Sequence, residues 1–304
     1  LSCFRPLLAY QDRSGGQPRL GTAGAATGEK LELPCGRCVG CRMDRARAWS
    51  IRISHEAQLF DSNLFVTLDY DPEHLPGSLS LEYPDFQGFM KRLRRRLPGE
   101  VACPDGRRPI RFFVAGEYGS QFQRPHWHSI LFNCRLPDQV AFENGTYRSS
   151  LMEDLWGKGN VVIGAVTAQS AAYVAGYTLE KKFGAAAAEH YEDVVEVATG
   201  ELSSRRPEFV VMSRRPGIGA WWFDRFRGDV FPADRAVMGT REYRVPRYYT
   251  EKLRAVDPLA AEEVAFERYL VARAVDPHES SEERRAVREE YAERRLDSFG
   301  GRKH

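Results

Sequence analysis

Between Leu64 and Thr167 the apolar residues of this 304-residue chain change their period in a fixed order, and that order limits the folds open to it. "LFVTLDY" (Leu64–Tyr70), "IRFFVAGE" (Ile110–Glu117), "HWHSILF" (His126–Phe132) and "NVVIGAVT" (Asn160–Thr167) are short runs rich in β-branched and aromatic residues, the composition of strands. "PDFQGFMKRLRRRL" (Pro84–Leu97) spaces its apolar residues as a helix does, with Pro at its start and Pro98 beyond its end. "YRSSLMEDLW" (Tyr147–Trp156) reads as a second helix, and a Gly-bearing loop joins the second and third strands as a hairpin. The resulting order, β-α-β-β-α-β, predicts an α+β fold of the split β-α-β, ferredoxin- or RRM-like type. Its sheet is antiparallel with the helices on one face.

The flanks divide by composition. Residues 1–60 hold a cysteine-rich segment and a helix over Arg42–Phe60, and residues 61–185 are the core, ending in a helix over Ala168–Phe183. Residues 186–256 form a basic and aromatic extension. Residues 257–304 form a charged tail of two helices parted near Asp276-Pro277. Residues 11–30, rich in Gly, Ser, Thr and Ala, read as a loop or disordered segment. The formal charge of +2 hides an asymmetry: the tail from Asp257 carries 12 acids and 9 bases, the rest 30 acids and 35 bases. A basic body suits a nucleic-acid partner. No run of 18 apolar residues exists to span a membrane, and the first thirty residues hold no secretory leader pattern. Reduced thiols in a cytoplasm are therefore expected.

"RPHWHSIL" (Arg124–Leu131) places two imidazoles one residue apart on a strand. Side chains alternate faces along a strand, so His126 and His128 point one way and Trp127 the other, into the core. A bare pair of this kind is often a half-exposed surface feature. Here the hairpin brings Glu117 close to the start of the histidine strand, as a third ligand, with Asp69 as the competing carboxylate. Two imidazoles and a carboxylate with open positions suit Mg²⁺ or Mn²⁺, and Zn²⁺ is chemically acceptable.

In "SAAYVAGYTLEKK", Tyr173, Tyr177 and Lys181 are spaced by four and share one helix face. A core stripe with a snorkelling lysine is the plainer reading. Two phenols and an ammonium beside a metal point instead to phosphoryl chemistry, with the lysine stabilising a phenolate and a covalent phosphotyrosine as product.

Cys35, Cys38 and Cys41 have the spacing of a metal knuckle. A closed tetrahedral site needs a fourth ligand, and Cys3 is the choice. Structural zinc is expected, although an iron–sulfur cluster accepts similar spacing. "KRLRRR" (Lys91, Arg92, Arg94, Arg95 and Arg96 around Leu93) is either a solvated helix face or a phosphate-binding one. Arg214 and Arg215 in "SRRPGIG", like "RVPRYY", set arginines among ring residues, which suits single-stranded DNA. Trp221 and Trp222 read as core. No G-x-x-x-x-G-K-[ST] motif is present, so no phosphate-cradling ATPase loop is expected.

"RPHWHSILF" with "SAAYVAGYTLEKK" resembles the HUH endonucleases. More closely, the chain resembles the replication initiation proteins of Microviridae bacteriophages of the gokushovirus type. That resemblance also rests on "LPCGRCVGCRMDRARAWSIRISHE", "FVTLDYDPEHLP", "DFQGFMKRLRRRL", "RFFVAGEYG" and "PEFVVMSRRPGIGAWW", from about Cys3 to Tyr249. It implies a rolling-circle nickase acting in the bacterial cytoplasm on single-stranded DNA at the origin of a circular replicative form. A tyrosine keeps the 5′ phosphate and leaves a 3′ hydroxyl to prime a host polymerase, while a host helicase separates the strands. Carried over by motif, His126 and His128 are the metal pair, Tyr173 and Tyr177 the nucleophiles, and Lys181 assists. A non-catalytic, zinc-containing DNA-binding protein and a metal hydrolase with a water nucleophile are the alternatives.

Overall fold

The structure, a computed structural model, describes residues 3–12, 18–21, 28–119, 122–177, 187, 191–192, 194–195 and 200–300. These form two compact units, residues 1–45 with 256–304 and residues 46–255.

In the first unit, β1 (Leu7–Asp12) pairs antiparallel with β2 (Arg19–Leu20) and β3 (Gly28–Leu33). This corrects the expectation of a loop over 11–30, whose described parts are mostly strand. The register sets Leu7 against Leu33 and Ala9 against Leu31, with Ala9 fully buried. That apolar alternation outweighs the turn-forming composition of the linking residues. Two helices from the far end of the chain, Pro258–Arg273 and Glu282–Gly300, complete the unit. They part at Asp276, whose side chain accepts from the His278 amide, as the sequence suggests. Arg285 pairs with Glu32, and Arg5 with Glu289, tying helix to strand segments.

The second unit continues α1 (Val39–Ala57) into β4 (Asn63–Asp69), α2 (Tyr83–Arg96), β5 (Arg111–Tyr118) and β6 (Pro125–Phe132). There follow β7 (Val140–Ala141), β8 (Tyr147–Arg148), α3 (Ser150–Trp156), β9 (Val161–Ala165) and α4 (Ala168–Gly176). A small hairpin of β10 (Val194–Val195) and β11 (Leu202–Ser203) precedes β12 (Phe209–Met212), which adds an edge strand to the main sheet. Tyr147 and Arg148 belong to a strand, not to the start of a helix. Tyr147 pairs with Ile163, and the Ser149 side chain caps α3 by accepting from the Met152 amide.

The main sheet has seven strands in the order β12-β5-β6-β4-β9-β8-β7, and every pairing is antiparallel. The α+β architecture with a split β-α-β core is as the periodicity predicts. Helices α2 and α3 share one face, where Phe86, Phe89, Leu93, Met152 and Trp156 meet Leu68, Val114, Trp127 and Leu131. The other face is covered by the helices on either side of the motif. Ile53 of α1 and Ala171, Val174 and Ala175 of α4 pack on Phe113, Ala115, Ile130 and Phe132. A buried ion pair fixes α1 to that face: Arg111 Nε lies 2.5 Å from Glu56 Oε1, and Glu56 Oε2 accepts from the Gly219 amide. Removing either charge would leave the other uncompensated away from water. Trp222 is buried and stacks on His55, and Trp221 packs half-buried against the core, as expected of both.

Trp127 is fully buried opposite Gly116 in the β5–β6 register. A Cβ on Gly116 would meet Trp127 Cζ3 at 2.7 Å and Leu81 Cδ2 at 3.0 Å, so only glycine fits beneath the indole. Gly116→Ala should therefore cost about 1–3 kcal/mol through overpacking. A lowered urea midpoint at unchanged m-value would report it, and an unchanged midpoint would contradict the packing described.

Candidate functional site

The register of three neighbouring strands assembles the histidine site. In β6, His126 stands opposite Glu117 of β5 on one side and Asp69 of β4 on the other. His128 stands opposite Ala115 and Thr67. All these side chains point to the face opposite Trp127, as the two-residue period requires.

The donor atoms of Glu117, His126 and His128 lie within 4.8 Å of one another. Glu117 Oε1 is 2.6 Å from His126 Nε2 and 3.4 Å from His128 Nε2, and the two Nε2 atoms are 3.1 Å apart. Donors at right angles around an ion with bonds of about 2.1 Å stand about 3 Å apart, so the spacing suits one face of a small divalent cation. Asp69 borders the cluster and acts on both imidazoles through its charge, but is outside the converged set.

The surroundings orient both rings. His126 Nδ1 lies 3.2 Å from the Arg124 carbonyl, which can only accept, so a neutral ring keeps its lone pair on Nε2. His128 Nδ1 lies 3.0 Å from the Thr67 hydroxyl, turning its Nε2 to the centre. Glu117 is largely buried, which favours its neutral form, yet hydrogen bonds from both histidines hold its pKa down to about 2. Burial works against charge on His126 as well, but the bond to Glu117 prevails and raises its pKa. Burial dominates at His128 and lowers it. The centre is thus anionic at Glu117 and has nitrogen donors beside it.

The tyrosines of α4 arrive at the same place. The Tyr177 ring is parallel to that of His128, with centroids 4.9 Å apart and planes 3° apart. Tyr173 meets His128 edge-on at 5.4 Å, and the two phenol rings are 5.0 Å apart. Tyr173 is 37% exposed and Tyr177 only 4%. Helix α4 is started by a capping box in which Thr167 and Ser170 bond each other's amides. Lys181 lies outside the described residues. Sequence reasoning missed Thr67 and Phe65, whose ring is parallel to that of His128 at 5.8 Å. Alternation along β4 puts residues 65, 67 and 69 on one face, but the pairing of β4 with β6 has no local sequence signal.

In the other unit, the sulfurs of Cys3, Cys35, Cys38 and Cys41 lie within 4.8 Å of one another, and none is in a disulfide. Cys35 and Cys41 sulfurs are 4.0 Å apart, those of Cys3 and Cys38 3.8 Å. A tetrahedron with bonds of about 2.3 Å has edges of about 3.8 Å. Backbone amides of Phe4, Cys35, Arg37 and Cys38 point at the sulfurs. Burial opposes ionisation of Cys35, but the amides of Cys38 and Arg37 bring its pKa to about 7. Burial raises Cys41.

The basic runs divide in use. Arg92 donates to the carbonyls of Leu155 and Trp156 at the end of α3, and Arg94 donates twice to the Ile110 carbonyl. Lys91, Arg95 and Arg96 are exposed, as are Arg214 and Arg215.

Comparison with known proteins agrees in kind. The family profile for replication-associated proteins of the ORF2 type matches residues 63–183, which include every residue of the histidine and tyrosine site. The replication-associated protein VP4 of Bdellovibrio phage phiMH2K is 32% identical over 258 residues, covering 83% of this chain and 76% of that protein. The replication-associated protein ORF2 of Spiroplasma virus 4 is 30% identical over 237 residues, 73% of this chain and 67% of the relative. The replication-associated protein ORF4 of Chlamydia phage 1 is 28% identical over 231 residues; the match covers 73% of this chain and 53% of that relative. No solved structure matches. No helix among the described residues is long and apolar enough to cross a membrane. The chain belongs to the family of phage replication-associated proteins.

Proposed function

We propose that the protein initiates rolling-circle replication by nicking one DNA strand at an origin and later rejoining it through phosphotyrosine. The observation that carries the reading is the stacking of Tyr177, with Tyr173 beside it, on a histidine whose Nε2 belongs to the converged donor set. In the nicking step a tyrosine oxygen attacks phosphorus. A Tyr–O–P bond to the 5′ phosphate forms, the P–O3′ bond breaks, and the 3′ oxygen leaves with a proton as hydroxyl. The reverse reaction, with a 3′ hydroxyl attacking phosphotyrosine, reseals a strand. Two phenols at one centre let one hold an end while the other cuts, and Lys181, by its spacing, assists phenolate formation.

Glu117, His126 and His128 are the residues that would hold a divalent cation, Mg²⁺ or Mn²⁺. When bound, it supplies Lewis-acid polarisation of the scissile phosphate. Thr67 and the Arg124 carbonyl hold the imidazoles in the tautomers that this needs. The four cysteines hold structural zinc, as the sulfur spacing and amide contacts support. The protein works on single-stranded origin DNA in the bacterial cytoplasm, with a host helicase and polymerase. Lys91, Arg95, Arg96, Arg214 and Arg215 are exposed cations available to the DNA backbone, while Arg92 and Arg94 contribute chiefly through the fold.

Incubation with origin-containing single-stranded DNA and Mn²⁺ should yield a covalent adduct on a denaturing gel, absent in the double variant Tyr173→Phe, Tyr177→Phe. Cleavage that survives the double change without attachment would instead indicate a water nucleophile. Thr67→Val should raise the Mn²⁺ needed for half-maximal cleavage by about 10-fold or more while leaving cleavage at saturating metal largely intact. An unchanged metal requirement would remove Thr67 from the site. Elemental analysis of native protein should find one zinc per chain, lost in Cys38→Ser; iron with visible absorbance, or no metal, would overturn the zinc assignment.

A further inference from the structure

At the opposite end of β5 from Glu117 lies a cavity of about 250 Å³ whose lining includes Arg94, Arg107, Arg111, Arg214, Arg215 and Trp221. Among the described residues no acidic side chain lines it. Two of its five guanidiniums are neutralised from behind: Arg111 by the buried Glu56, and Arg107 by Asp105 at 2.6 Å. Arg94 spends its Nε and one terminal nitrogen on the Ile110 carbonyl, which carries no net charge. Among the described residues neither Arg214 nor Arg215 has a carboxylate partner. Three cationic charges therefore converge on a concave surface with no local counter-charge, an arrangement that an anion stabilises.

The chemistry narrows the anion. Guanidinium forks match the paired oxygens of a phosphate. The Arg111 guanidinium lies 4.5 Å over the Trp221 ring and covers one of its faces, so that face is closed to a stacking base. The volume is below the roughly 300–1,000 Å³ of pockets that enclose a drug-sized ligand. It suits a phosphate unit of a chain passing over the exposed Arg214 and Arg215 rather than an engulfed cofactor.

Position gives the connection to the candidate active site. Arg111 and Glu117 are six residues apart on one strand and share a face, so they are about 20 Å apart. A stacked strand carries a phosphate every 3.4 Å or so, and about six such spacings cover the distance.

We propose that this arginine pocket is a second anchoring site for the phosphodiester backbone of single-stranded DNA, separate from the metal–tyrosine centre and about six nucleotides from it. This rests on the reading that the protein acts on DNA, but not on its nicking chemistry.

The test is equilibrium binding of fluorescent oligo(dT) of 20 nucleotides without divalent metal, which keeps cleavage out of the measurement. The variant Arg214→Ala, Arg215→Ala alters two exposed side chains, so its melting temperature should match the parent's. It should bind on the order of tenfold more weakly, and the slope of log affinity against log salt should fall by about 1.4, or 0.7 for each lost phosphate contact. Arg214→Lys, Arg215→Lys should restore most of the affinity and the slope, since the charges return. Unchanged affinity and slope in the alanine variant would overturn the pocket, as would equal losses in the alanine and lysine variants. If the alanine variant weakens as described but the parent forms no covalent adduct with origin DNA, the pocket stands and the nickase reading falls.

Discussion

The two-residue side-chain period of β6, fixed between β5 and β4, is the constraint from which the rest of the molecule follows. In that register Trp127 is fully buried against Gly116 and the helices α2 and α3, and its two neighbours must face the other way. A slip by one residue would send an indole into the tyrosine site and two imidazoles into the apolar layer. Both pairings lock it, because Glu117 and Asp69 flank His126 only in the observed alignment. The core therefore stabilises the site geometry at no separate cost: the packing of one residue determines the aim of the next.

That coupling explains why the site is nearly dry yet charged. Glu117 is buried to a degree that disfavours a carboxylate, and two histidine bonds keep it ionised. The histidines are in turn held from behind by a hydroxyl and a backbone carbonyl. Each polar group has a partner, which is the condition for placing charge next to a core. The Glu56–Arg111 pair repeats the pattern on the same sheet face, linking α1 to β5 and to the Gly219 loop. One buried cation is thus matched by one buried anion, while the arginines at the surface beyond it have no such match.

Much of this is legible in the sequence because the relevant signals are local. Strand composition marks β4, β5, β6 and β9, alternation separates Trp127 from the histidines, and four-residue spacing puts Tyr173 and Tyr177 on one face. Cysteine spacing names three members of the sulfur cluster, and Cys3 joins them in space. What stays hidden depends on distant parts of the chain. The order β5-β6-β4 brings Thr67 to His128 across 61 residues, and nothing near Thr67 announces it. The association of residues 1–45 with 256–304 is of the same kind. The strands within 11–30 are obscured by turn-forming neighbours. Arg92 and Arg94 look like the rest of their run, but their carbonyl partners lie 63 and 16 residues away.

The two tyrosines, written by the sequence as equals, are unequal in three dimensions. Tyr173 presents its edge to His128 and more than a third of its surface to solvent, whereas Tyr177 lies flat on the same ring at the last turn of α4 and is almost wholly covered. A polymer approaching from outside meets the first phenol without disturbing anything. To meet the second, the end of the helix must unseat a stacked ring. Alternation between the two is therefore built on an intrinsic bias: one hydroxyl stands ready at rest and the other is held in reserve.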